Sequence, residues 1–215
     1  MTLGYKVFFS KRPAGNDHLK WVPTTSTLIY GERDAILVDT QLTKAAGRDL
    51  VDWVVDTGKN LTTIYITHAH GDHFYGNAAL IERFPEAKIL ATAEVVAKMA
   101  EAILPDGMDA FWRRLFPGEI PEKLVTAVAL NEDHFMLEGE KLVVVRIGRT
   151  DMDEKHGPLG ESFSKQSRLE WIAALDKIAA LHPKIVVGGH SDPSKDFSPN
   201  AVHETKAYFE NLERA

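Results

Sequence analysis

The sequence contains no cysteine among its 215 residues. This absence excludes disulfide bonds and thiolate ligands, so any metal ion would be held by nitrogen and oxygen atoms. A chain without cysteine suits a reducing compartment, and the cytoplasm is therefore the expected location.

Long apolar runs are also missing. The N-terminal stretch Val7-Phe8-Phe9 is too short for the apolar core of a signal peptide. No stretch of the chain approaches the ~20 apolar residues that are needed to span a membrane. The sequence therefore predicts neither a signal peptide nor a membrane span.

Positive charge is scarce and scattered. Lys and Arg number 25 against 31 Asp and Glu, which gives a formal net charge of −6. Without a basic stripe to neutralise phosphates, nucleic acid is not expected as a partner. A small-molecule substrate is expected instead, and the sequence leaves the oligomeric state open.

Apolar residues, by contrast, make up 44% of the chain, which is enough for a sizeable core. The chain has no internal repeat and no linker-like stretch, so it predicts one domain over residues 1–215. Two apolar runs, residues 27–30 and 35–38, flank a polar turn and predict a β-hairpin. Helical spacing over residues 46–54 predicts a helix that Gly58 ends.

The rest of the chain alternates between apolar strand patterns and helical patterns, which predicts a mixed α/β fold. Strands are predicted over residues 63–67, 88–91, 124–128, 134–137, 141–147 and 185–187. Helices are predicted over residues 76–84, 93–103, 168–180 and 199–212. Residues 105–121 predict a helix-containing flap whose aromatic side chains either line a cleft or pack in the core.

Three of the nine histidines lie within six residues, directly after the predicted strand 63–67. His68 and His70 project to the same side of an extended chain. The glycine that follows them lets the backbone turn, so that Asp72 and His73 point to a second position near the next helix. The spacing predicts a mononuclear or dinuclear divalent metal site. The alternative is a polar loop with incidental histidines.

His190 is a further candidate ligand. It follows the apolar run 185–187 and two glycines, so a buried strand would present its imidazole at the strand end. The alternative interpretation is a histidine in a turn.

The segment Thr67-His68-Ala69-His70-Gly71-Asp72-His73 resembles the Thr-His-x-His-x-Asp-His signature of the metallo-β-lactamase superfamily. The hairpin that ends at Asp39-Thr40 is similar to that superfamily's N-terminal sheet, and the stretch up to His190 is similar to its final ligand strand. The resemblance thus covers about residues 27–190. It implies an αββα sandwich with the metal ions in a cleft at one edge of the two sheets.

The resemblance also implies the ligands. It assigns one metal ion to His68, His70 and a third histidine, and a second ion to Asp72, His73 and His190. A further aspartate usually bridges both ions in the family.

The chain departs from the family pattern in its second half. Arg149 stands where the family has the third histidine, and arginine has no lone pair to give to a metal. The two apolar strands that lead to the bridging aspartate are missing, so the second sheet is predicted to lack strands. Arg149 either opposes a metal ion beside His68 and His70 or binds an anionic substrate group. Nearby polar residues either substitute as ligands or form a surface loop: Asp151, Asp153, Glu154 and His156.

One metal ion is therefore expected, on Asp72, His73 and His190. Three protein ligands plus a water molecule are also the arrangement of catalytic zinc. Zinc is expected from these ligand types, and iron or manganese are compatible with them.

Three hypotheses follow for the function. The first is a metal-dependent hydrolase that attacks an ester, lactone, thioester or amide with an activated water, with Asp72 orienting the water or shuttling its proton. The second is a catalytically impaired relative that binds a metal ion or ligand without turnover, which Arg149 and the missing strands favour. The third is a shortened or engineered chain with an incomplete second sheet, which would expose apolar surface and sheet edges.

Overall fold

A six-stranded mixed sheet is the larger of two sheets in the computed structural model, which describes residues 2–12, 22–148 and 164–214. Its strands lie side by side in chain order: β1 (Gly4–Phe9), β2 (Thr25–Tyr30), β3 (Asp34–Val38), β4 (Asn60–Tyr65), β5 (Lys88–Ala91) and β6 (Val128–Ala129). The pairs β1–β2 and β2–β3 are antiparallel, and the pairs from β3 to β6 are parallel. Because parallel strands run in one direction, the residues that follow β3 and β4 meet at the same edge of the sheet.

The predicted hairpin is confirmed as β2 and β3. Leu28 pairs with Leu37 across it, and both side chains are completely buried. Their complete burial provides the hydrophobic stabilisation that holds this register.

Five helices accompany the two sheets in the first part of the chain: α1 (Lys44–Asp56), α2 (Gly71–Phe74), α3 (Asn77–Arg83), α4 (Ala93–Ala102) and α5 (Met108–Leu115). The hydroxyl of Thr43 caps α1 by accepting a 3.2 Å hydrogen bond from the N–H of Ala46. Leu50 and Val54 bury one face of α1, and Gly58 with φ of 68° follows its end. The helix predicted from the spacing before Gly58 is therefore confirmed.

The second sheet contains two described strands, β7 (His134–Leu137) and β8 (Glu140–Val143). Glu138, in the turn between them, extends its carboxylate to the β2–β3 turn. There it accepts hydrogen bonds from the N–H groups of Glu32, Arg33 and Asp34 at 2.9, 2.6 and 2.6 Å. These backbone donors lower the pKa of Glu138 to about 2. The contact joins the turns of the two sheets.

Two predicted strands are shorter than expected. The strand predicted over residues 124–128 pairs only at Val128–Ala129, because the carbonyl of Val125 accepts a hydrogen bond from the Asn77 side chain instead of from a strand. The strand predicted over residues 141–147 ends at Val143, where its hairpin partner β7 begins.

The buried strand predicted over residues 185–187 is wrong. These residues belong to no strand, and the side chain of Ile185 is 48% exposed. The N–H of Val186 donates to the carbonyl of Phe197 at 2.9 Å, outside any strand ladder. A β-branched run predicts a strand only where a neighbouring strand pairs with it and a second layer covers it.

The chain divides into two compact units, one of residues 1–144 and 188–193 and one of residues 145–187 and 194–215. The second contains α6 (Lys165–Ala180) and α7 (Asn200–Arg214), which confirm the two predicted C-terminal helices. Its core is formed by Leu175, Val202 and Phe209, with the ring of Trp171 4.7 Å from that of Phe209. The single domain over residues 1–215 stays a prediction.

Within the described ranges, every helix is too short or too polar to cross a membrane.

Candidate metal centre

The histidine segment begins at the carboxyl end of β4, beside the end of β3. The two ends are joined by a 2.9 Å hydrogen bond from the N–H of Asp39 to the carbonyl of Tyr65. The chain then enters α2, whose N-cap is His70 and whose first turn contains Asp72 and His73. All four residues of α2 are buried, so the segment is anchored in the interior at the sheet edge.

Asp72, His73 and His190 converge although 117 positions separate the two histidines. Asp72 Oδ2 lies 3.6 Å from His73 Nε2 and 3.4 Å from His190 Nε2, and the two Nε2 atoms are 3.4 Å apart. The His73 side chain is fully buried, whereas that of His190 is 37% exposed. The structure therefore brings together the three side chains that the sequence suggested for one ion, and their role as ligands stays a prediction.

Asp39 sets the orientation of His73. Its Oδ2 lies 2.9 Å from His73 Nδ1, and the carboxylate also accepts from the N–H and the hydroxyl of Thr67, each at 2.7 Å. Burial acts to raise the pKa of Asp39, but the positive charge of His73 when it is protonated, together with its hydrogen bond, outweighs burial and holds this pKa below its usual value. An ionised carboxylate only accepts, so Nδ1 carries the imidazole proton and Nε2 presents its lone pair to the centre.

A backbone carbonyl sets the orientation of His190. His190 Nδ1 donates to the carbonyl of Pro23 at 3.2 Å, and the residue forms an antiparallel bridge with Thr24. The N–H of Thr25 donates to the carbonyl of Gly189 at 2.8 Å. With its Nδ1 proton engaged, His190 also presents the Nε2 lone pair to the centre.

Gly189 lets this loop approach His73. A Cβ atom at position 189 would lie 2.9 Å from His73 Cε1, which is closer than side chains pack. Only a glycine allows the backbone to lie this close to the ring without displacing it. Gly189 thus serves close packing between this loop and His73.

Asp72 is ionised at neutral pH. Burial acts to raise its pKa, but the positive charges of His73 and then His190, when these imidazoles are protonated, outweigh this effect and lower the pKa to about 2. The hydroxyl of Thr24 donates to the same Oδ2 atom at 3.1 Å. The carboxylate oxygen that faces the two imidazoles therefore carries negative charge and also accepts a hydrogen bond from Thr24.

The donor set fits a divalent ion. Two imidazole lone pairs and a carboxylate oxygen repel one another at 3.4–3.6 Å unless a cation lies among them. In a tetrahedral zinc site with bonds of about 2.05 Å, neighbouring ligand atoms are about 3.3 Å apart. The observed separations match this value without any side-chain movement.

His68 and His70 lie close together, as predicted, with ring centroids 4.9 Å apart. Among the described residues, the two groups of three whose ligand atoms lie within 4.8 Å of one another are Asp39, His68 and His73, and Asp72, His73 and His190. Neither contains both His68 and His70. The Asp39 carboxylate already accepts three hydrogen bonds, so we interpret it as an orienting group rather than a ligand.

Several sequence predictions lie outside the described residues. These are the roles of Arg149 and of the substitute ligands Asp151, Asp153, Glu154 and His156. They stay predictions.

The predicted flap over residues 105–121 contains α5, and of its aromatic residues Phe116 is buried whereas Phe111 and Trp112 are half-buried. Phe116 is 3% exposed. Trp112 packs on the histidine segment, because a Cβ at Gly71 would lie 2.9 Å from its indole ring. For these two aromatic residues, core packing is therefore the better interpretation.

Sequence analysis missed Asp39 and Thr24 as site residues. Asp39 had a signal in the sequence: it is an acidic residue that directly follows the apolar strand β3. Thr24 had none, because its contact with Asp72 spans 48 positions.

Comparisons with known proteins identify the family of the chain. The family model described as the metallo-beta-lactamase superfamily matches residues 19–190. A relative named atrochrysone carboxyl ACP thioesterase, from Pseudocercospora fijiensis (strain CIRAD86), is 39% identical over 66 residues. Those residues are 30% of this chain, which spans only 20% of the relative's length.

Solved structures show the fold. The metallo-beta-lactamase from Pontibacter korlensis superposes with a TM-score of 0.66 at 17% identity, over 96% of this chain and all of that chain. The metallo-beta-lactamase FIM-1 from Pseudomonas aeruginosa, in its mono-zinc form, has a TM-score of 0.58 at 14% identity, over 98% of this chain and 92% of that chain. With four-fifths of the sequence inside the family match and the αβ architecture shared, the chain belongs to the metallo-beta-lactamase superfamily.

Proposed function

We propose that the chain is a metal-dependent hydrolase that holds one Zn²⁺ ion on Asp72, His73 and His190. The observation that carries the proposal is the convergence of Asp72 Oδ2, His73 Nε2 and His190 Nε2 at 3.4–3.6 Å. Three ligands with one open position are typical of catalytic zinc. Iron or manganese would suit the same nitrogen and oxygen donors.

The protein groups have distinct roles in this proposal. The bound ion would lower the pKa of a water molecule and polarise the carbonyl oxygen of the substrate. Asp72, with a pKa of about 2, is a weak base at neutral pH, so we assign it to orienting the water rather than to moving its proton. His190 is the exposed member of the trio, and substrate therefore approaches from its side.

The proposed substrate is a small molecule with an ester, lactone, thioester or amide bond. The relative named as an ACP thioesterase supports a thioester most directly, although the matched stretch is a small part of that protein. The net charge of −6 argues against a nucleic-acid substrate, and the lack of cysteine supports a cytoplasmic location.

Metal analysis combined with a substrate panel tests the proposal. We expect about one equivalent of zinc per chain. We also expect hydrolysis of at least one of four probe substrates: an aryl ester, a lactone, a thioester and an anilide. The variants Asp72→Ala and His190→Ala should lose both the bound zinc and the hydrolysis. The control His203→Ala, which removes an exposed histidine of α7, should keep both. A wild-type chain without zinc, or zinc retained in His190→Ala, would overturn the proposal.

A second candidate is a metal-binding relative without turnover. The observation in its favour is that neither described ligand group contains both His68 and His70, so the family's first ion lacks a full described set. This candidate predicts zinc bound by the trio and removed by His190→Ala, with no hydrolysis of any of the four probes.

A further inference from the structure

Thr24 contacts two members of the trio from outside it. Its hydroxyl donates to Asp72 Oδ2 at 3.1 Å, and this is the oxygen that faces both imidazoles. This hydrogen bond restricts rotation of the Asp72 carboxylate about its Cβ–Cγ bond. The carboxylate therefore points into the centre before any ion arrives.

The backbone around Thr24 holds the other ligand. Thr24 forms an antiparallel bridge with His190, and its two neighbours bind the same loop. The carbonyl of Pro23 accepts from His190 Nδ1 at 3.2 Å, and the N–H of Thr25 donates to the carbonyl of Gly189 at 2.8 Å. The position of His190 is thus tied to the start of β2.

Thr24 is itself firmly placed. It is 2% exposed, its N–H donates to the Ser10 hydroxyl at 2.8 Å, and its carbonyl accepts from the Ser10 N–H at 2.9 Å. These contacts fix the backbone from which the hydroxyl reaches Asp72.

We infer that Thr24 is a positioning residue that sets the separation between Asp72 and His190 and so raises the affinity of the centre for its ion. The inference rests on the proposed function, because it assumes that Asp72 and His190 are ligands. It predicts that the hydroxyl, and not the methyl group or volume of Thr24, carries the effect. Outer groups that bind metal ligands typically contribute 10–100-fold in affinity, roughly what we expect here.

Two matched pairs of variants isolate the hydroxyl. Thr24→Val removes it from threonine at nearly constant shape, and Thr24→Ala differs from Thr24→Ser by the hydroxyl alone. Zn²⁺ affinity is measured by competition with a chromophoric chelator, and Co²⁺ substitution reports ligand geometry through its visible spectrum. We expect affinity to fall about 10–100-fold in Thr24→Val and Thr24→Ala, with altered Co²⁺ spectra, and to stay within a few-fold of wild type in Thr24→Ser.

Thr62→Val is the matched control. Thr62 lies near the amino end of β4, and its hydroxyl donates to the carbonyl of Ala35 at 3.2 Å, so the change removes a comparable hydrogen bond away from the centre. It should leave Zn²⁺ affinity and the Co²⁺ spectrum unchanged. Thermal melts identify any variant that fails to fold. In that case the remaining matched pair, either wild type with Thr24→Val or Thr24→Ser with Thr24→Ala, tests the inference.

The outcomes separate the two proposals. If wild type binds zinc and His190→Ala does not, while Thr24→Val and Thr24→Ala bind it as wild type does, this inference is wrong and the proposed function stands. If Thr24→Ser loses as much affinity as Thr24→Ala, the hydroxyl is not the cause and the inference is again wrong. If wild type binds no zinc, both are wrong.

Discussion

The two histidines of the candidate metal centre are held in different ways. His73 is completely buried, and the buried carboxylate of Asp39 binds its Nδ1. The side chain of His190 is 37% exposed, and a neutral carbonyl, that of Pro23, binds its Nδ1. A charge-assisted contact in the interior is strong, whereas a neutral contact near solvent competes with water. His73 is therefore part of the folded core as well as of the centre, whereas His190 lies at the solvent-exposed edge of the centre.

The largest expected effect separates the two histidines by stability. His73→Ala leaves the buried Asp39 carboxylate without its imidazole, which should lower the free energy of unfolding by about 3–5 kcal/mol. His190→Ala removes a partly exposed ring and should lower it by less than about 1 kcal/mol. Urea unfolding of the metal-free chain measures both values.

A double-mutant cycle with Asp39→Ala provides the control for this prediction. The loss caused by His73→Ala should shrink when Asp39 is already absent, because the two side chains interact directly. Equal losses from His73→Ala and His190→Ala would contradict the distinction between core and edge.

A smaller effect is expected in the pH dependence of stability. The pKa of Asp72 is lowered from 3.8 to about 2 in the folded chain, so the unfolded chain binds more protons between these values. The resulting stabilisation, roughly 2 kcal/mol, is complete above about pH 5 and is lost as the pH falls towards 2. We call this fall in the free energy of unfolding between pH 6 and pH 2 the acid limb. Asp72→Asn should flatten the acid limb in unfolding experiments over that pH range.

Two further variants sharpen the pH measurement. Glu138, whose pKa is also lowered to about 2, contributes in the same window, so Glu138→Gln should flatten the limb independently. Since His73 lowers the pKa of Asp72 more than His190 does, His190→Ala should retain most of the limb. An acid limb unchanged in Asp72→Asn would refute the assignment.

The smallest expected effect concerns the packing between the two sides of the centre. Gly189→Ala places a Cβ 2.9 Å from His73 Cε1, and that ring is pinned by Asp39, so the loop with His190 must move. The cost should be about 1 kcal/mol, with weaker zinc binding. Gly188→Ala is the comparison, because the nearest contacts of its Cβ, the His190 carbonyl oxygen and the Ser191 hydroxyl, lie at 3.3 Å, so a smaller shift accommodates it. Thermal melts and zinc titrations of both variants check the order, and a larger loss in Gly188→Ala would contradict it.

Much of the fold could be predicted from the sequence because local patterns dominate there. The hairpin of β2 and β3 follows from two apolar runs around a polar turn, and α1 and its end follow from helical spacing and a glycine stop. The run over residues 185–187 failed because its β-branched residues suit a strand, yet no described strand pairs with them. Strand pairing depends on residues far along the chain, which a local pattern does not contain.

The candidate centre divides in the same way. The spacing of His68, His70, Asp72 and His73 identified the segment from the sequence alone, and the apolar run with two glycines before His190 identified that residue. The sequence did not reveal Asp39 or Thr24, whose contacts with the centre span 34 and 48 positions. Such partners become visible only when the sheet brings the start of β2 and the ends of β3 and β4 to one edge.

The sequence by itself determined that any metal ligands must be nitrogen and oxygen atoms, and that a dense group of such candidates follows one strand. Only the tertiary structure decided which nitrogen of each imidazole faces the candidate centre and which of the three candidate ligands is the most exposed to water. The reason is physical: residue type and spacing are local properties, whereas the proton position of an imidazole and its exposure depend on the distant groups that pack against it.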